Sequence, residues 1–554
     1  MIGSATITEK SFGPKSLYKN LSFSIDDGEK IGVVGRNGVG KSTLLGILDG
    51  SDQDFTGDIT FRRGVSIVSS RQEHHGHGHK TVLEYILGDL PEYADLAHII
   101  ETYPDTMGED ETKITEYTDA LQRFSDLGYY SNEQMIVEDL KRVQINEEKA
   151  HSVLESLSGG QKRLVEVVKI MHSNAHLALV DEPTNHMDYV AKASFIDWMK
   201  SASEAMLIIT HDRDVLRSVN RIIEIKDGKA HIYNGNYDQY LRQNASSTSN
   251  AMHEFEVIER KIDNLKDKVT QFRRFKEKAR DPDTIKQFKR RESQARAELR
   301  ELEKVEKPTF WIDKSSAGDL GLKSAAQYDK FKAKNIKIAG TKDVEGHSRV
   351  LVEVSKLSLG YDKPLFADIS FQLREGERIE FRGRNGAGKT TLINEIIASA
   401  YGQKSDATCH AGYVELDSKV IIGRYEQEVG HELFDKSLSQ AIEHIYLSRK
   451  LSITTTKIRQ LLNDYLFTQG DADVPVNQLS GGQKARLQLI EMMCNNPSLL
   501  ILDEPTNHLD LPSIEELENA LAAYRGAIIF VSHDSYFQDA VGGETIKVAP
   551  DEQS

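Results

Sequence analysis

The sequence predicts an α/β protein: two copies of one phosphate-binding domain joined by an antiparallel helical hairpin. Two observations carry this. Four motifs occur twice in the same order, and a heptad-patterned, highly charged segment separates the two sets. One glycine-rich loop arises easily by chance; two ordered sets do not.

The first motif is Gly35-Arg36-Asn37-Gly38-Val39-Gly40-Lys41-Ser42, returning as Gly383-Arg384-Asn385-Gly386-Ala387-Gly388-Lys389-Thr390. Before it, Lys30 to Val34 reads as a buried strand. After it, Thr43 to Leu48 reads as a helix, and Thr391 opens the second copy. Glycines between strand and helix let backbone N–H groups close around phosphate oxygens at the helix N-terminus. Lys41 and Lys389 can then reach β- and γ-phosphates, and the hydroxyls of Ser42 and Thr390 can ligate Mg²⁺.

The second motif is Leu157-Ser158-Gly159-Gly160-Gln161, returning as Leu479-Ser480-Gly481-Gly482-Gln483. Serine with glutamine three residues on is a capping box. Capping alone does not require the two glycines, so these helix starts read as anion-binding. Leu164, Val167, Val168 and Met171 mark the buried face of the first such helix.

The third motif, Asp181-Glu182-Pro183-Thr184-Asn185-His186, returns as Asp503-Glu504-Pro505-Thr506-Asn507-His508. Each follows a continuous apolar run, Leu177 to Val180 and Leu499 to Leu502, as in parallel strands covered on both faces. A carboxylate ending such a strand beside a phosphate loop suits Mg²⁺, which assigns Asp181 and Asp503. Glu182 and Glu504 are placed to polarise an attacking water. The fourth motif, His211-Asp212 and His533-Asp534, follows the runs Met206 to Ile209 and Ile528 to Val531; both histidines can donate to a γ-phosphate. Gln72 and Gln427 are further candidate Mg²⁺ ligands.

The halves are unequal. Lys41 and Lys389 are 348 residues apart, whereas Ser158/Ser480, Glu182/Glu504 and His211/His533 are each 322 apart, so the first half holds 26 extra residues. Gln72 to Ser158 is 86 residues and Gln427 to Ser480 is 53, which places an insertion in the helical region, at about 84–120. Glu84 to Asp119 carries eleven acidic residues and one basic, Lys113. That balance excludes direct RNA contact and leaves a solvated surface or a site for a basic protein. His74, His75, His77 and His79 could bind zinc or nickel, but no second ligand cluster lies near, and a flexible loop is the preferred reading.

The expected domains are 1–244, a linker 245–346, and 347–554. The first half ends in the turn Asn234-Gly235-Asn236-Tyr237, then a short helix broken at Ser246 to Asn250. Phe255, Ile258, Ile262, Leu265, Val269 and Phe272 step as a heptad seam. Asp281-Pro282-Asp283-Thr284 breaks it, with Thr284 as candidate cap. Phe288, Ala295, Leu299 and Leu302 return, interrupted by Glu292. Each arm should reach roughly 40 Å.

The tip is basic. Arg273, Arg274, Lys276, Lys278, Arg280, Lys286, Lys289, Arg290 and Arg291 face only Glu277, Asp281 and Asp283, a balance of +6 in a chain of net charge −16. The chain as a whole repels nucleic acid; this end suits RNA phosphates. Phe272, Phe275 and Phe288 either stack on bases or close the seam. No apolar run is long enough to span a bilayer, the first residues do not read as a secretory leader, and Cys409 and Cys494 cannot build a disulfide framework. A cytoplasmic protein is expected.

The motifs resemble those of the ATP-binding cassette superfamily across both halves. The resemblance implies head-to-tail pairing, with Ser158 facing ATP held by Lys389 and Ser480 facing ATP held by Lys41. It also implies adenine stacking on Phe12 and Tyr361. The whole arrangement resembles the ABC-F family: two cassettes in one chain, an arm insertion in the first, and a charged hairpin between them. Met187 departs from the leucine common there, a near-isosteric change. The resemblance implies a monomeric ATPase with cofactors ATP and Mg²⁺. It would bind the ribosome at the tRNA exit site, the linker tip touching ribosomal RNA and tRNA and the arm a basic ribosomal protein. The alternatives are an ATP-binding subunit energising a separate membrane transporter, and an antibiotic-resistance factor protecting the ribosome.

Overall fold

The computed structural model describes the chain except residues 13–14, 71–77, 107, 109, 186, 279–280, 303–348, 427–428, 466, 480, 508 and 550–554. Side chains of residues 12, 15, 245–260, 263, 276–278, 282, 285, 300–302 and 469 are likewise outside the description. The chain forms two compact units, Met1–Tyr237 with Ala333–Ser554, and Asp238–Lys332.

In the first unit the repeat becomes two copies of one layered domain. The first pairs Lys15–Ile25, Gly3–Phe12 and Thr56–Phe61 in an antiparallel sheet. Its larger sheet runs Ile67–Ser69, Leu177–Asp181, Ala205–Ile209, Lys30–Val34, Arg221–Lys226, Lys229–Asn234; all strands are parallel except the last. The second domain repeats this with Pro364–Arg374, Val350–Gly360 and Thr408–Leu416. Its five-stranded parallel sheet runs Ile422–Tyr425, Leu499–Asp503, Ala527–Val531, Arg378–Arg382, Glu544–Lys547. Every residue of Lys30–Val34, Ala205–Ile209 and Ala527–Val531 is buried, because helices cover both faces of such sheets. The motifs follow from this topology. The phosphate loop, the Asp-Glu motif and the histidine motif each lie at the carboxyl end of a central parallel strand, the edge at which open α/β sheets bind ligands, whereas each signature heads a helix, Gly159–His172 or Gly481–Met493.

The insertion is a helical pair, Tyr93–Thr106 and Glu111–Asp126. Its boundary differs from the expected 84–120. Glu84 completes a capping box with Thr81 at the head of Val82–Gly88, and Leu438–Ser448 in the second domain starts with the same box on Ser437. Thr81 and Ser437 also make equivalent bridges, to Val153 and Pro475. Helix Val82–Gly88 therefore belongs to the repeat, and the excess begins after it. Tyr93, Phe124 and Tyr129 anchor the pair, with ring centroids 5.3–5.6 Å apart.

The second unit contains an antiparallel hairpin. Helix Tyr237–Lys278 is continuous over 42 residues, so the expected break at Ser246–Asn250 is absent. Serine, threonine and asparagine each disfavour a helix only weakly, and no glycine or proline interrupts that stretch. At 1.5 Å per residue this arm spans about 63 Å, longer than expected. The tip also differs in its cap. The Asp281 carboxylate accepts from Thr284 N at 2.9 Å and Thr284 Oγ1 at 2.6 Å, and Pro282 occupies the first turn of Pro282–Leu302, where a missing N–H is harmless. Leu265 and Ala295 are buried in the seam. Glu292 is buried with them and ion-paired to Arg296 at 2.7 Å. Phe288 packs against Phe272 and Phe275, with centroids 6.5 and 5.6 Å apart. Among the described residues no helix is long and apolar enough to cross a membrane.

Candidate nucleotide sites between the two domains

The phosphate loops are built alike. Gly38 and Gly40 have φ of 80° and 101°, Gly386 and Gly388 78° and 95°, values that side chains beyond glycine rarely adopt. A Cβ at Gly40 would also strike Leu17 and Tyr18. Lys41 Nζ donates to Gly35 O at 2.8 Å and Arg36 O at 3.3 Å; Lys389 Nζ donates to Gly383 O at 2.8 Å and Arg384 O at 3.0 Å. Both amines thus sit inside their loops, and burial lowers the pKa of each. Thr43 and Thr391 are half-buried in the following helical turn, Val39 is half-buried, Ala387 is buried and Arg36 is exposed.

Ser42 Oγ donates to Asp181 Oδ2 at 2.7 Å, and Thr390 Oγ1 to Asp503 Oδ2 at 2.8 Å. Among the described residues no group of three or more His, Cys, Asp or Glu is placed to hold a metal. The hydroxyl–carboxylate pairs Ser42–Asp181 and Thr390–Asp503 fit Mg²⁺, which takes few protein ligands and completes its octahedron with phosphate and water.

Glu182 and Glu504 have φ of 48° and 47°, a strained left-handed backbone for a long side chain. Their amides donate to Ile209 O and Val531 O, at 2.8 and 2.9 Å, which pins the strained turn to the neighbouring strand. Each carboxylate then lies beneath the histidine that follows that strand. Glu182 Oε2 accepts from His211 N at 3.4 Å, and Glu504 Oε2 from His533 N at 3.2 Å. Burial raises both glutamates to about 8 and lowers His211 to about 3 and His533 to about 4. The imidazoles are therefore neutral. His211 Nε2 lies 3.4 Å from Glu182 Oε1 and Glu504 Oε1 lies 3.2 Å from His533 Nε2, but neither ring nitrogen of His211, nor Glu504 Oε1, makes a well-aligned hydrogen bond among the described residues. Buried polar atoms are rarely left so, and a ligand with its own polar oxygens would satisfy them.

The two domains meet across these loops. Asp510 Oδ2 accepts from Asn37 N at 2.8 Å. In the other direction, Asp188 Oδ2 accepts from Asn385 N at 3.3 Å and Arg384 Nε at 3.2 Å. A Cβ at Gly481 would meet the Asn37 side chain, so the second signature abuts the first phosphate loop. A cavity of about 260 Å³ lies at this seam, lined by Asn37, Asp181, Glu182 and His211 from one domain and Glu504 and His533 from the other.

The chain matches the ABC transporter family over residues 18–185 and 366–507, and a second ABC transporter family over 223–319. It is 31% identical to YdiF of Bacillus subtilis (strain 168), covering 98% of this chain and 79% of that one. It is 28% identical to ABC transporter F family member 5 of Arabidopsis thaliana, covering 97% and 74%. The energy-dependent translational throttle protein EttA of Mycobacterium tuberculosis is 29% identical, covering 96% and 88%. The chain belongs to the ABC-F family. Its cassettes are ATP-binding domains with ATPase activity. Among solved structures it is similar to the RNase-L inhibitor, with TM-score 0.55, 16% identity and coverage of 96% and 85%. It is also similar to the archaeal ribosome recycling factor aABCE1 in complex with stalk protein aP1, with TM-score 0.54, 16% identity and coverage of 98% and 87%. At such identities these two show the fold alone.

Among the described residues the two signatures of this ABC-F chain stand differently. Ser158 heads its helix with the complete capping box, Gln161 N donating to Ser158 Oγ at 3.3 Å and Ser158 N to Gln161 Oε1 at 3.2 Å. Yet a Cβ at Gly159 would meet nothing within 4 Å, unlike one at Gly481. Gly160 and Gln161 continue that first turn, as Gly482 and Gln483 do in helix Gly481–Met493. Ser480, Gln72, Gln427 and the Phe12 side chain lie outside the described residues, as do His74, His75 and His77. Tyr361 is 56% exposed. Arg273, Arg274, Lys286, Lys289, Arg290 and Arg291 are exposed on the hairpin, while the side chains of Lys276, Lys278 and Arg280 are outside the description. Sequence reasoning passed over Asp188 and Asp510. The available signal was their own 322-residue spacing, each just before a helix it caps.

Proposed function

We propose that this chain is a cytoplasmic ATPase that closes on two ATP molecules, binds the ribosome at the tRNA exit site in that form, modulates translation, and leaves after hydrolysis. The observation that supports this best is the reciprocal seating of Asp188 and Asp510 on the opposite phosphate loops, since a nucleotide held by one cassette would be enclosed by the other. The throttle named among the relatives supports the ribosome as target.

In this reading Lys41 and Lys389 hold the β- and γ-phosphates together with the backbone N–H groups from Gly35 to Thr43 and from Gly383 to Thr391. Ser158 to Gln161 cover the phosphates on Lys389, and Ser480 to Gln483 those on Lys41. Ser42, Gln72 and Asp181, and Thr390, Gln427 and Asp503, would hold Mg²⁺, which neutralises charge building on the phosphates. Glu182 and Glu504 take the proton of the attacking water; a carboxyl poised near pH 8 is matched to that transfer. Neutral His211 and His533 each present one N–H to the γ-phosphate. Phe12 and Tyr361 stack on adenine. The exposed basic tip meets ribosomal RNA and tRNA, and the acidic arm a basic ribosomal protein.

The test uses the full chain with Glu182→Gln and Glu504→Gln together. Hydrolysis should fall about 10²–10⁴-fold while ATP binding persists, and the protein should cosediment with ribosomes in ATP but not in ADP. Equal ribosome binding in ADP refutes closure-dependent docking; cosedimentation with membranes instead would favour a transporter subunit.

A further inference from the structure

The seam between the cassettes is one-sided at Lys192. This lysine, 8% exposed, lies in helix Tyr189–Ser201 of the first cassette. Its Nζ is 2.7 Å from Asp214 Oδ2 and 3.3 Å from Asp212 Oδ2 of the same cassette. It also donates across the seam to the carbonyl oxygen of His533 at 3.2 Å. Burial alone would discharge such an amine, but Asp212, Asp214 and Asp534 together hold its proton. Ser535 Oγ donates to Asp214 Oδ2 at 3.3 Å, so the second cassette binds both ends of this pair.

His533 is where this contact becomes chemical. Its N–H donates to Glu504, and its Nε2 lies 3.2 Å from Asn385 Oδ1 in the phosphate loop. A charged donor on its carbonyl oxygen fixes the peptide plane from which that imidazole projects. Among the described residues no mirror arrangement is seen. At the 322-residue spacing, Ile514 stands where Lys192 does; it lines the same cavity and has no donor to offer His211.

We propose that Lys192 is a positioning residue for the composite site of Lys389, Glu504 and His533, so that hydrolysis there depends on a side chain of the first cassette without a counterpart in the reverse direction. The proposal rests on Glu182 and Glu504 being the general bases of their sites. One cassette therefore reports on the other. The peptide at His533 is correctly set only when the first cassette, with Asp212 and Asp214 in place, is docked.

The experiment measures steady-state ATPase kinetics of the full chain, without ribosomes, in two backgrounds. Glu182→Gln leaves the site of Glu504; Glu504→Gln leaves the site of Glu182. Lys192→Met in the first background should lower kcat about 10- to 100-fold, the worth of a hydrogen bond from a charged group, with KM for ATP within about twofold. In the second background it should change kcat less than about threefold, a difference short of one lost hydrogen bond. Lys192→Arg, which keeps a charged donor, should restore most of the loss. Equal slowing in both backgrounds, or a raised KM with kcat kept, overturns the proposal and leaves Lys192 an interface strut. If Lys192→Met melts below the assay temperature, Lys192→Gln is read in the same backgrounds against the same two outcomes. Should the double Glu→Gln protein hydrolyse ATP normally, the base assignment fails, and that failure is separate from any result at Lys192.

Discussion

Asp510 has two separable jobs, and one substitution divides them. Its Oδ1 accepts from Ser513 N at 3.0 Å and so caps helix Leu511–Ala523. Its Oδ2 accepts from Asn37 N at 2.8 Å on the opposite phosphate loop. Asparagine caps a helix as well as aspartate does, so Asp510→Asn keeps the first bond. Its amide NH₂ then faces the Asn37 N–H, donor against donor. A bond to a charged group is worth about 1.5–3 kcal/mol, and a buried donor left without a partner costs about 1–3 kcal/mol. A loss of about 2 kcal/mol from the closed state alone moves the open–closed balance roughly 30-fold. The assay is an ATP titration of closure, with one fluorophore on each cassette and Glu182→Gln plus Glu504→Gln present to prevent turnover. The ATP concentration at half closure should rise roughly 30-fold while the melting temperature of nucleotide-free protein stays near that of the parent. Asp510→Ala should shift both, since it also removes the cap, worth about 1 kcal/mol. A midpoint within about twofold of the parent for Asp510→Asn, below the smallest of these hydrogen-bond terms, reduces Asp510 to a helix cap.

Two further outcomes follow from charge. Burial raises Glu182 and Glu504 from the usual 4.5 to about 8, so the stability they confer as neutral acids is complete below 4.5 and lost as pH rises through about 8. Glutamine cannot ionise. The melting temperature of the double Glu→Gln protein, measured without nucleotide, should therefore exceed that of wild type increasingly between pH 5 and pH 9, and a difference independent of pH contradicts the burial argument. At the hairpin tip, Arg273, Arg274, Lys289, Arg290 and Arg291 are all exposed, so neutralising them should leave folding and ribosome-free ATPase intact. It should weaken ribosome cosedimentation and flatten its salt dependence by about 0.7–0.9 log unit per lost phosphate contact; an unchanged slope removes the tip from the RNA interface.

What was legible in the sequence was what repeats or is periodic. Apolar runs such as Leu177 to Val180 and Leu499 to Leu502 announce strands covered on both faces, and the phosphate loops announce turns between strand and helix. Heptad spacing placed Leu265 and Ala295 in one seam. The misses share a cause. The hairpin cap was sought at Thr284, but helix start depends on which oxygen meets the first free N–H groups, and Asp281 is better placed. Ser246–Asn250 resembled a break because polar residues favour turns in isolation, yet the rest of a 42-residue helix carries them. The arm boundary fell inside a capped helix because 26 extra residues give a length and not a position. The cross-seam contacts of Asp188, Asp510 and Lys192 leave no local pattern to read, and for the two aspartates only the 322-residue spacing marks them. Phe272 and Phe288, open between base stacking and the seam, pack together. Phe275 is 46% exposed, which leaves it as the one of the three rings with a largely open surface.

The unequal seam separates a first-with-second pairing from a pairing of two like cassettes. Arg213 of the first cassette is fully buried and pairs with Glu518 of the second at 3.0 Å. Its guanidinium and that of Arg217 lie 5.2 and 4.7 Å from the Tyr536 ring centroid. At the 322-residue spacing, Ser535 stands for Arg213, Tyr536 for Asp214, Asp539 for Arg217 and Ile196 for Glu518. Two first cassettes brought together would set Arg213 against Ile196. Leaving a buried charge without its partner costs several kcal/mol, more than an exposed ion pair returns. Two second cassettes would set Glu518 against Ser535, which carries no charge to pair with it. Only the first-with-second pairing satisfies both faces. The phosphate loops and strained glutamates keep the symmetry of the repeat. The residues around Lys192 and Arg213 abandon it, and in doing so they select a first cassette paired with a second over two like cassettes.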